Sequence, residues 1–153
     1  MKIAMASDHG GFELKEILKK HLLSLSYDVI DFGCFCEESV DYPDYIKQAA
    51  LSVSKQETEK AVVVCGSGVG ASIVANKIPG VRAVLCTSEY LAEYSRLHNN
   101  ANVIAFGGRI TTEDLAKRYL GIWLTTEYEA GRHQKRLDKI TAVEKNPYFE
   151  ESQ

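Results

Sequence analysis

Short apolar runs alternate along this chain with longer stretches in which apolar residues recur every three to four positions. The first run, residues 2–6, reads as a strand. Gly10-Gly11 then precedes a helix over residues 12–25, with Phe12, Ile17, Leu18 and Leu22 at roughly helical spacing. Val29 and Ile30 make a short second strand, ended by Asp31-Phe32-Gly33, and a loop leads through Tyr42-Pro43 to a helix over 45–54. Residues 61–64 form a third strand, and 69–77 a helix stopped by Pro79-Gly80. The alternation continues with a strand at 83–86, a helix over 89–98 capped by Ser88, and a strand at 103–106 closed by Gly107-Gly108. A helix over 112–124 carries Glu113 and Asp114 in its first turn, and after Gly131 a charged helical stretch runs from about 132 to 144.

Five short strands separated by helices predict an α/β fold. The expected form is an open, doubly wound five-stranded parallel sheet covered on both faces, three layers in all, with a C-terminal helix. No repeat or linker interrupts the pattern, so residues 1–153 read as a single domain with a helical extension over 132–145. Such sheets bind ligands beyond the carboxyl ends of their strands, where the winding reverses; in the common five-strand order that point lies between the first and third strands. Ser7-Asp8-His9 and Cys65-Gly66-Ser67 stand just past those two strand ends. Two separate segments therefore converge on one expected crevice.

Composition narrows the partners. A net charge of −3 and a pI near 5.8 leave no electrostatic case for nucleic acid. No apolar run approaches a membrane span, and Met1-Lys2-Ile3 leads straight into a strand without a signal-peptide pattern. Cys34, Cys36, Cys65 and Cys86 then read as reduced thiols of a cytoplasmic protein. Cys34 and Cys36 form a C-x-C, but nothing nearby completes a four-ligand site, so no metal is expected.

The segment Cys65-Gly66-Ser67-Gly68-Val69-Gly70 carries the chemistry. Its glycines let backbone N–H groups point into a small concavity that favours anions, and the following helix adds the positive end of its dipole. A thiol at this junction is a base or nucleophile beside an oxyanion site, with donors that favour the thiolate. Spacing excludes a Walker A loop and a C-x5-R phosphatase, since both need a different residue at Ala71. Gly66, Gly68 and Ala71 formally meet G-x-G-x-x-G/A, but on the third strand and with little chain left for a substrate domain. A tight turn with no chemistry is the plain alternative. Asp8 and His9 sit at the start of the first helix, where Asp8 could serve only as a cap. His98 ends the fourth helix, which runs back from the carboxyl edge; at ~1.5 Å per residue its roughly ten residues carry His98 about 15 Å away. A catalytic His98 would therefore serve a neighbouring chain's Cys65. Arg132, His133 and Arg136 form a cationic group in which the two arginines, four apart, are expected on one helix face and suit a phosphate. Arg109 is a further candidate, and His21 reads as structural.

These motifs, with Asp41-Tyr42-Pro43, Ala75-Asn76-Lys77, His98-Asn99-Asn100-Ala101-Asn102, Phe106-Gly107-Gly108-Arg109 and Gly131-Arg132-His133, closely resemble the ribose-5-phosphate isomerase B family, which includes galactose-6-phosphate isomerase subunits. The resemblance runs from Lys2 to about Glu144. It implies a Rossmann-like fold and an aldose–ketose isomerase, needing no metal or other cofactor, that interconverts ribose 5-phosphate and ribulose 5-phosphate. It implies a homodimer with sites at the subunit interface, with a tetramer left open. Cys65 matches the base and His98, from the partner subunit, the ring-opening group. Asp8 would hold the ring oxygen and hydroxyls with Tyr42 and Asn99 nearby, and His9, Arg109, Arg132 and Arg136 would bind phosphate. Ser67 stands where many relatives carry Thr, and either supplies a hydroxyl. The backbone from Gly66 through Ser67, Gly68 and Val69 to Gly70 would face the enediolate. An isomerase of allose 6-phosphate or galactose 6-phosphate, and a non-catalytic sugar-phosphate binding protein, remain open at this point.

Overall fold

The computed structural model describes residues 1–145; the domain reading above extends past them, and residues 146–153 lie outside the described residues. The strands are β1 (Lys2–Ser7), β2 (Asp28–Asp31), β3 (Lys60–Cys65), β4 (Ala83–Leu85) and β5 (Val103–Gly107). The helices are α1 (Phe12–Ser24), α2 (Tyr42–Ser54), α3 (Val69–Asn76), α4 (Glu89–Leu97), α5 (Glu113–Thr125) and α6 (Gln134–Lys145), with a 3-10 turn at Gly131–His133 before α6. All strand pairs are parallel, in the order β2-β1-β3-β5-β4. This is the expected Rossmann-like sheet, and the winding reverses between β1 and β3 as predicted. The order also places β5, the last strand, directly beside β3.

Period-two alternation on the strands splits the core into two layers. Ile3, Met5, Val62, Val64, Ile104 and Phe106 pack with Leu14, Leu18 and Leu22 of α1 and with Tyr119, Leu120 and Trp123 of α5. Ala4, Ala6, Ala61, Val63, Cys65 and Ala105 face the other way, against Ile46, Ala49 and Ala50 of α2 and Ala71 and Ala75 of α3. The alanines on both sides of that second layer let α2 and α3 lie close to the sheet, and so bring the Cys65 turn near the start of α2.

Local chemistry sets the boundaries. Ser88 caps α4 as expected, its hydroxyl accepting the Leu91 N–H at 3.2 Å. Helix α2 begins three residues earlier than the periodicity suggests, because Pro43 fits the first turn of a helix and needs no N–H partner there. Edge strand β4 is closed off by Asn76, whose side chain both accepts from Ala83 N–H (2.8 Å) and donates to Ala83 C=O (3.0 Å), as a neighbouring strand would. The C-terminal stretch departs from expectation. Ala130 (φ 57°) and Gly131 (φ 54°) adopt positive φ, so α-helix starts only at Gln134. Arg132 and Arg136 are consequently not on one continuous helix face: Arg132 belongs to the 3-10 turn and Arg136 to the first turn of α6. No helix among the described residues is long and apolar enough to cross a membrane.

Candidate active site

Three turns leave the carboxyl ends of β1, β3 and β5 and touch through their backbones. A Cβ on Gly11 would meet Val64 O at 2.5 Å, one on Gly108 would meet Gly10 O at 2.5 Å, and one on Gly107 would meet Ser67 O at 2.6 Å. Only glycine permits this approach, and it compresses Asp8, His9, Cys65, Ser67 and Arg109 into one region. Gly108 N–H donates to Cys65 O (2.8 Å) and Arg109 N–H to Gly66 O (3.0 Å), so the β5 turn is tied to the thiol-bearing loop. The Arg109 guanidinium lies across Gly10 and Gly66, where added Cβ atoms would come within 3.3 Å and 3.1 Å of it.

Cys65 ends β3 and is buried, with 4% of its surface exposed. Its Sγ accepts the Gly68 N–H at 3.2 Å, the arrangement expected of a donor loop around an anion. Ser67 Oγ accepts the Val69 N–H at 3.3 Å. Gly68 sits at φ +79°, and Tyr42 lays its ring against Gly70, 2.6 Å from where a Cβ would stand. On the β1 side, Asp8 Oδ1 accepts the Gly11 N–H at 2.9 Å, which closes the turn before α1; the helix's own N-cap is Gly11, so Asp8 is not its cap. His9 Nδ1 accepts the Val40 N–H at 3.2 Å; since a backbone N–H can only donate, the neutral ring carries its proton at Nε2. All four cysteines are free thiols, and burial pushes Cys86, outside this region, up to about 11.

Other expected site residues gather elsewhere. His98 follows α4, which starts beyond the carboxyl end of β4 and returns across the sheet; Asn102, four residues later, accepts the Arg82 N–H just before β4 begins. His98 and Asn99 therefore lie at the amino edge, whereas Cys65 ends β3 at the carboxyl edge, and a five-residue strand spans about 16 Å. Asn99 lines a groove of about 690 Å³ with Arg82, Tyr94, Ile140 and Val143. The His98 ring stacks on His133, centroids 4.1 Å apart at 18°, and meets Tyr94 edge-on at 4.9 Å. Arg136 Nη1 lies 3.4 Å from His133 Nδ1, and Arg132 directly precedes His133 in the 3-10 turn, so both arginines belong to this second group. Burial first, and then repulsion from His98 and Arg132, holds His133 below the ordinary imidazole range.

Two participants were not singled out by spacing. Glu129 places Oε2 3.3 Å from His133 Nε2 and 3.8 Å from His98 Nε2, and its N–H donates to Leu97 O at 3.1 Å. Its only sequence signal is the four-residue interval to His133. Lys15 is fully buried and holds Asp31 at 2.7 Å, while Asp31 accepts the Gly33 N–H at 2.9 Å. Gly33 O in turn receives the Ser7 N–H, which steadies the turn that carries Asp8 and His9.

Residues 3–140 match the family model described as Ribose/Galactose Isomerase. The chain is 48% identical over 143 residues to ribose-5-phosphate isomerase B of Escherichia coli, covering 94% of this chain and 96% of that protein. Among solved structures, ribose-5-phosphate isomerase B of Clostridium thermocellum aligns with TM-score 0.94 and 47% identity, covering 95% of this chain and 98% of that one. The ribose-5-phosphate isomerase B of Mycoplasma genitalium, solved with bound ribulose 5-phosphate, aligns with TM-score 0.90 and 38% identity over 95% and 97% of the two chains. With matches of this extent on the same fold, the chain belongs to the ribose/galactose isomerase family.

Proposed function

We propose that this protein interconverts ribose 5-phosphate and ribulose 5-phosphate through an enediolate, as a homodimer whose two sites each draw on both subunits. The observation that carries the reading is the buried Cys65 thiol within a glycine-rich donor loop, its Sγ bonded to Gly68 N–H, with Arg109 laid over the same loop. The relatives' names supply the sugar phosphate; the geometry supports the chemistry.

The aldose must first be opened. His98 of the second subunit takes the proton of the anomeric hydroxyl and returns it to the ring oxygen as the C1–O bond to that oxygen breaks. Asp8 and Tyr42 of one subunit, with Asn99 of the other, hold the hydroxyls. The Cys65 thiolate then removes the proton from C2, and negative charge moves onto the former carbonyl oxygen at C1. The N–H groups of the Gly66–Gly70 loop other than those bonded to Cys65 Sγ and Ser67 Oγ, with the Ser67 hydroxyl, stabilise this charge as it forms; loss of one such donor typically costs ~10²–10³ in rate. Returning the proton from Cys65 to C1, with transfer between the two oxygens, completes the ketose. His9 Nε2–H and Arg109 of one subunit, with Arg132 and Arg136 of the other, hold the phosphate, and that remote binding orients the reacting carbons. The scheme needs no metal or nucleotide.

Placement supports the two-subunit form: His98, Asn99, Arg132 and Arg136 lie at the opposite sheet edge from Cys65, a separation that a second subunit would bridge. The test is an isomerisation assay of the pure protein with ribose 5-phosphate, allose 6-phosphate and galactose 6-phosphate, repeated with Cys65→Ala. The expected result is preference for ribose 5-phosphate, with turnover abolished in the variant and sugar-phosphate binding retained. Near-wild-type turnover by Cys65→Ala refutes the assignment of the base, and preference for a six-carbon substrate refutes that of the sugar.

A further inference from the structure

The amino-edge cluster holds a donor set of which the proposed isomerisation uses only His98. Glu129 Oε2 faces both His98 Nε2 (3.8 Å) and His133 Nε2 (3.3 Å), and the three candidate ligand atoms all lie within 4.8 Å of one another. His133 is 3% exposed, and its Nε2 is buried without a hydrogen-bond partner among the described residues. A polar atom left in that state carries a cost that a ligand would relieve. We propose that His98, Glu129 and His133 form a binding site for a divalent transition metal of the zinc class, and that occupancy inhibits the enzyme by withdrawing His98.

Two imidazoles and a carboxylate are the ligand types that suit zinc and its neighbours rather than magnesium or calcium. Tetrahedral zinc with bonds of about 2.0–2.2 Å brings its ligand atoms to about 3.3 Å from one another. The 3.3 Å Glu129–His133 separation already meets this, so the adjustment falls mainly on His98. The His98 side chain is 33% exposed, which gives the ion a way in, and its ring closes the set by sliding on the His133 ring it already stacks against. The anchors are firm: Glu129 N–H is bonded to Leu97 O, and Arg96 Nε to Thr126 O at 3.3 Å. A fourth position is left to water or a phosphate oxygen. Arg132 and Arg136 oppose the site. Arg136 meets His133 at Nδ1, which must carry the ring proton once Nε2 binds metal, so this exposed side chain has to swing outward. Their positive charge weakens binding and makes it sensitive to anions that screen them.

The inhibitory part rests on the function proposed above; the binding part does not. Co²⁺, whose visible absorption reports coordination, is titrated into the full-length wild type, Glu129→Gln and Cys65→Ala, followed by displacement with Zn²⁺. Glu129 is exposed and Gln is its isostere, so the variant keeps the fold, which circular dichroism verifies. The expected result is binding of one Co²⁺ per chain with tetrahedral bands and no thiolate charge-transfer band. Affinity falls about tenfold or more in Glu129→Gln and is unchanged in Cys65→Ala. Zn²⁺ should then inhibit isomerisation reversibly, with proportionally more needed for Glu129→Gln. Equal affinity in wild type and Glu129→Gln, a thiolate band, or no binding overturns the site. Binding as described in a protein that isomerises no sugar phosphate overturns the proposed function and leaves the metal site standing.

Discussion

Gly68 and Gly80 share a left-handed backbone, at φ +79° and +78°, but not their surroundings. A Cβ on Gly80 meets nothing within 4 Å, whereas one on Gly68 falls 2.6 Å from Leu85 Cδ1, 2.8 Å from Phe106 C and 2.9 Å from Gly107 N. Gly80→Ala therefore incurs only the conformational penalty of an L residue in this region, about 1–2 kcal/mol. Gly68→Ala incurs that and overpacking, for a total of about 2–5 kcal/mol. The clash cannot relax cheaply, because two of the three atoms are backbone and Gly107 is itself pressed against Ser67 O. Urea denaturation at unchanged m-value measures both losses. The two variants should also differ in turnover. Displacing Gly68 N–H from Cys65 Sγ removes the hydrogen bond that steadies the thiolate, worth about 1.5–3 kcal/mol, so kcat falls by about ten- to a hundredfold, while Gly80→Ala turns over as wild type. Equal destabilisation by both substitutions, or an unchanged kcat in Gly68→Ala, would refute the view of this loop as a close-packed donor cradle.

Two further substitutions probe the frame of the site. Lys60 is buried over the Trp123 ring, 4.9 Å from its centroid, and desolvation first, then repulsion from Arg96, lowers its pKa to about 8. Because the unfolded chain holds this proton up to a higher pH, stability should rise as pH climbs from about 8 to about 10.5, and the full cost, about 3 kcal/mol, is present below that window. Lys60→Met keeps the packed stem, so we expect it to gain about 1–3 kcal/mol at pH 7 and to lose that rise; a variant less stable than wild type at pH 7 contradicts the reasoning. Ala130 occupies φ 57°, ψ −126°, backbone that costs a non-glycine residue about 1–3 kcal/mol. Against the greater chain entropy of glycine, Ala130→Gly should stabilise by about 0.5–2 kcal/mol in thermal or urea unfolding, and a net loss would show that the turn is unstrained.

The layers of the fold were legible because strand alternation and helix periodicity are local and strong. All five strands and their crossovers were readable from short apolar runs and glycine punctuation. Strand order beyond β1 and β3 was not, because nothing local says which strand pairs with which; β5 lies beside β3 through tertiary packing. That pairing brings Arg109 over Gly66 and makes the Arg109 turn part of the thiol loop. The C-terminal helix was read through Arg132 because its composition is helical, yet two successive positive-φ residues delay its start. The placement of His98 at the sheet edge opposite Cys65 could be argued from helix rise alone. The carboxylate of Glu129 between two imidazoles could not, since it depends on how the segment after α5 folds back onto Leu97. Lys15 escaped notice for a similar reason: a lysine among helix-surface residues looks solvated until Asp31 of β2 is placed beside it.

The central claim is that Cys65 of one subunit works with His98 of another. Mixing two inactive variants, Cys65→Ala and His98→Asn, under conditions that allow subunit exchange tests it most directly. In a mixed dimer of this kind one interface site carries both defects and the other carries neither. Random exchange makes about half the dimers mixed, so activity should return to about a quarter of the wild-type value. Mixtures that remain as inactive as the separate variants, despite subunit exchange shown by native mass spectrometry, would contradict the shared site.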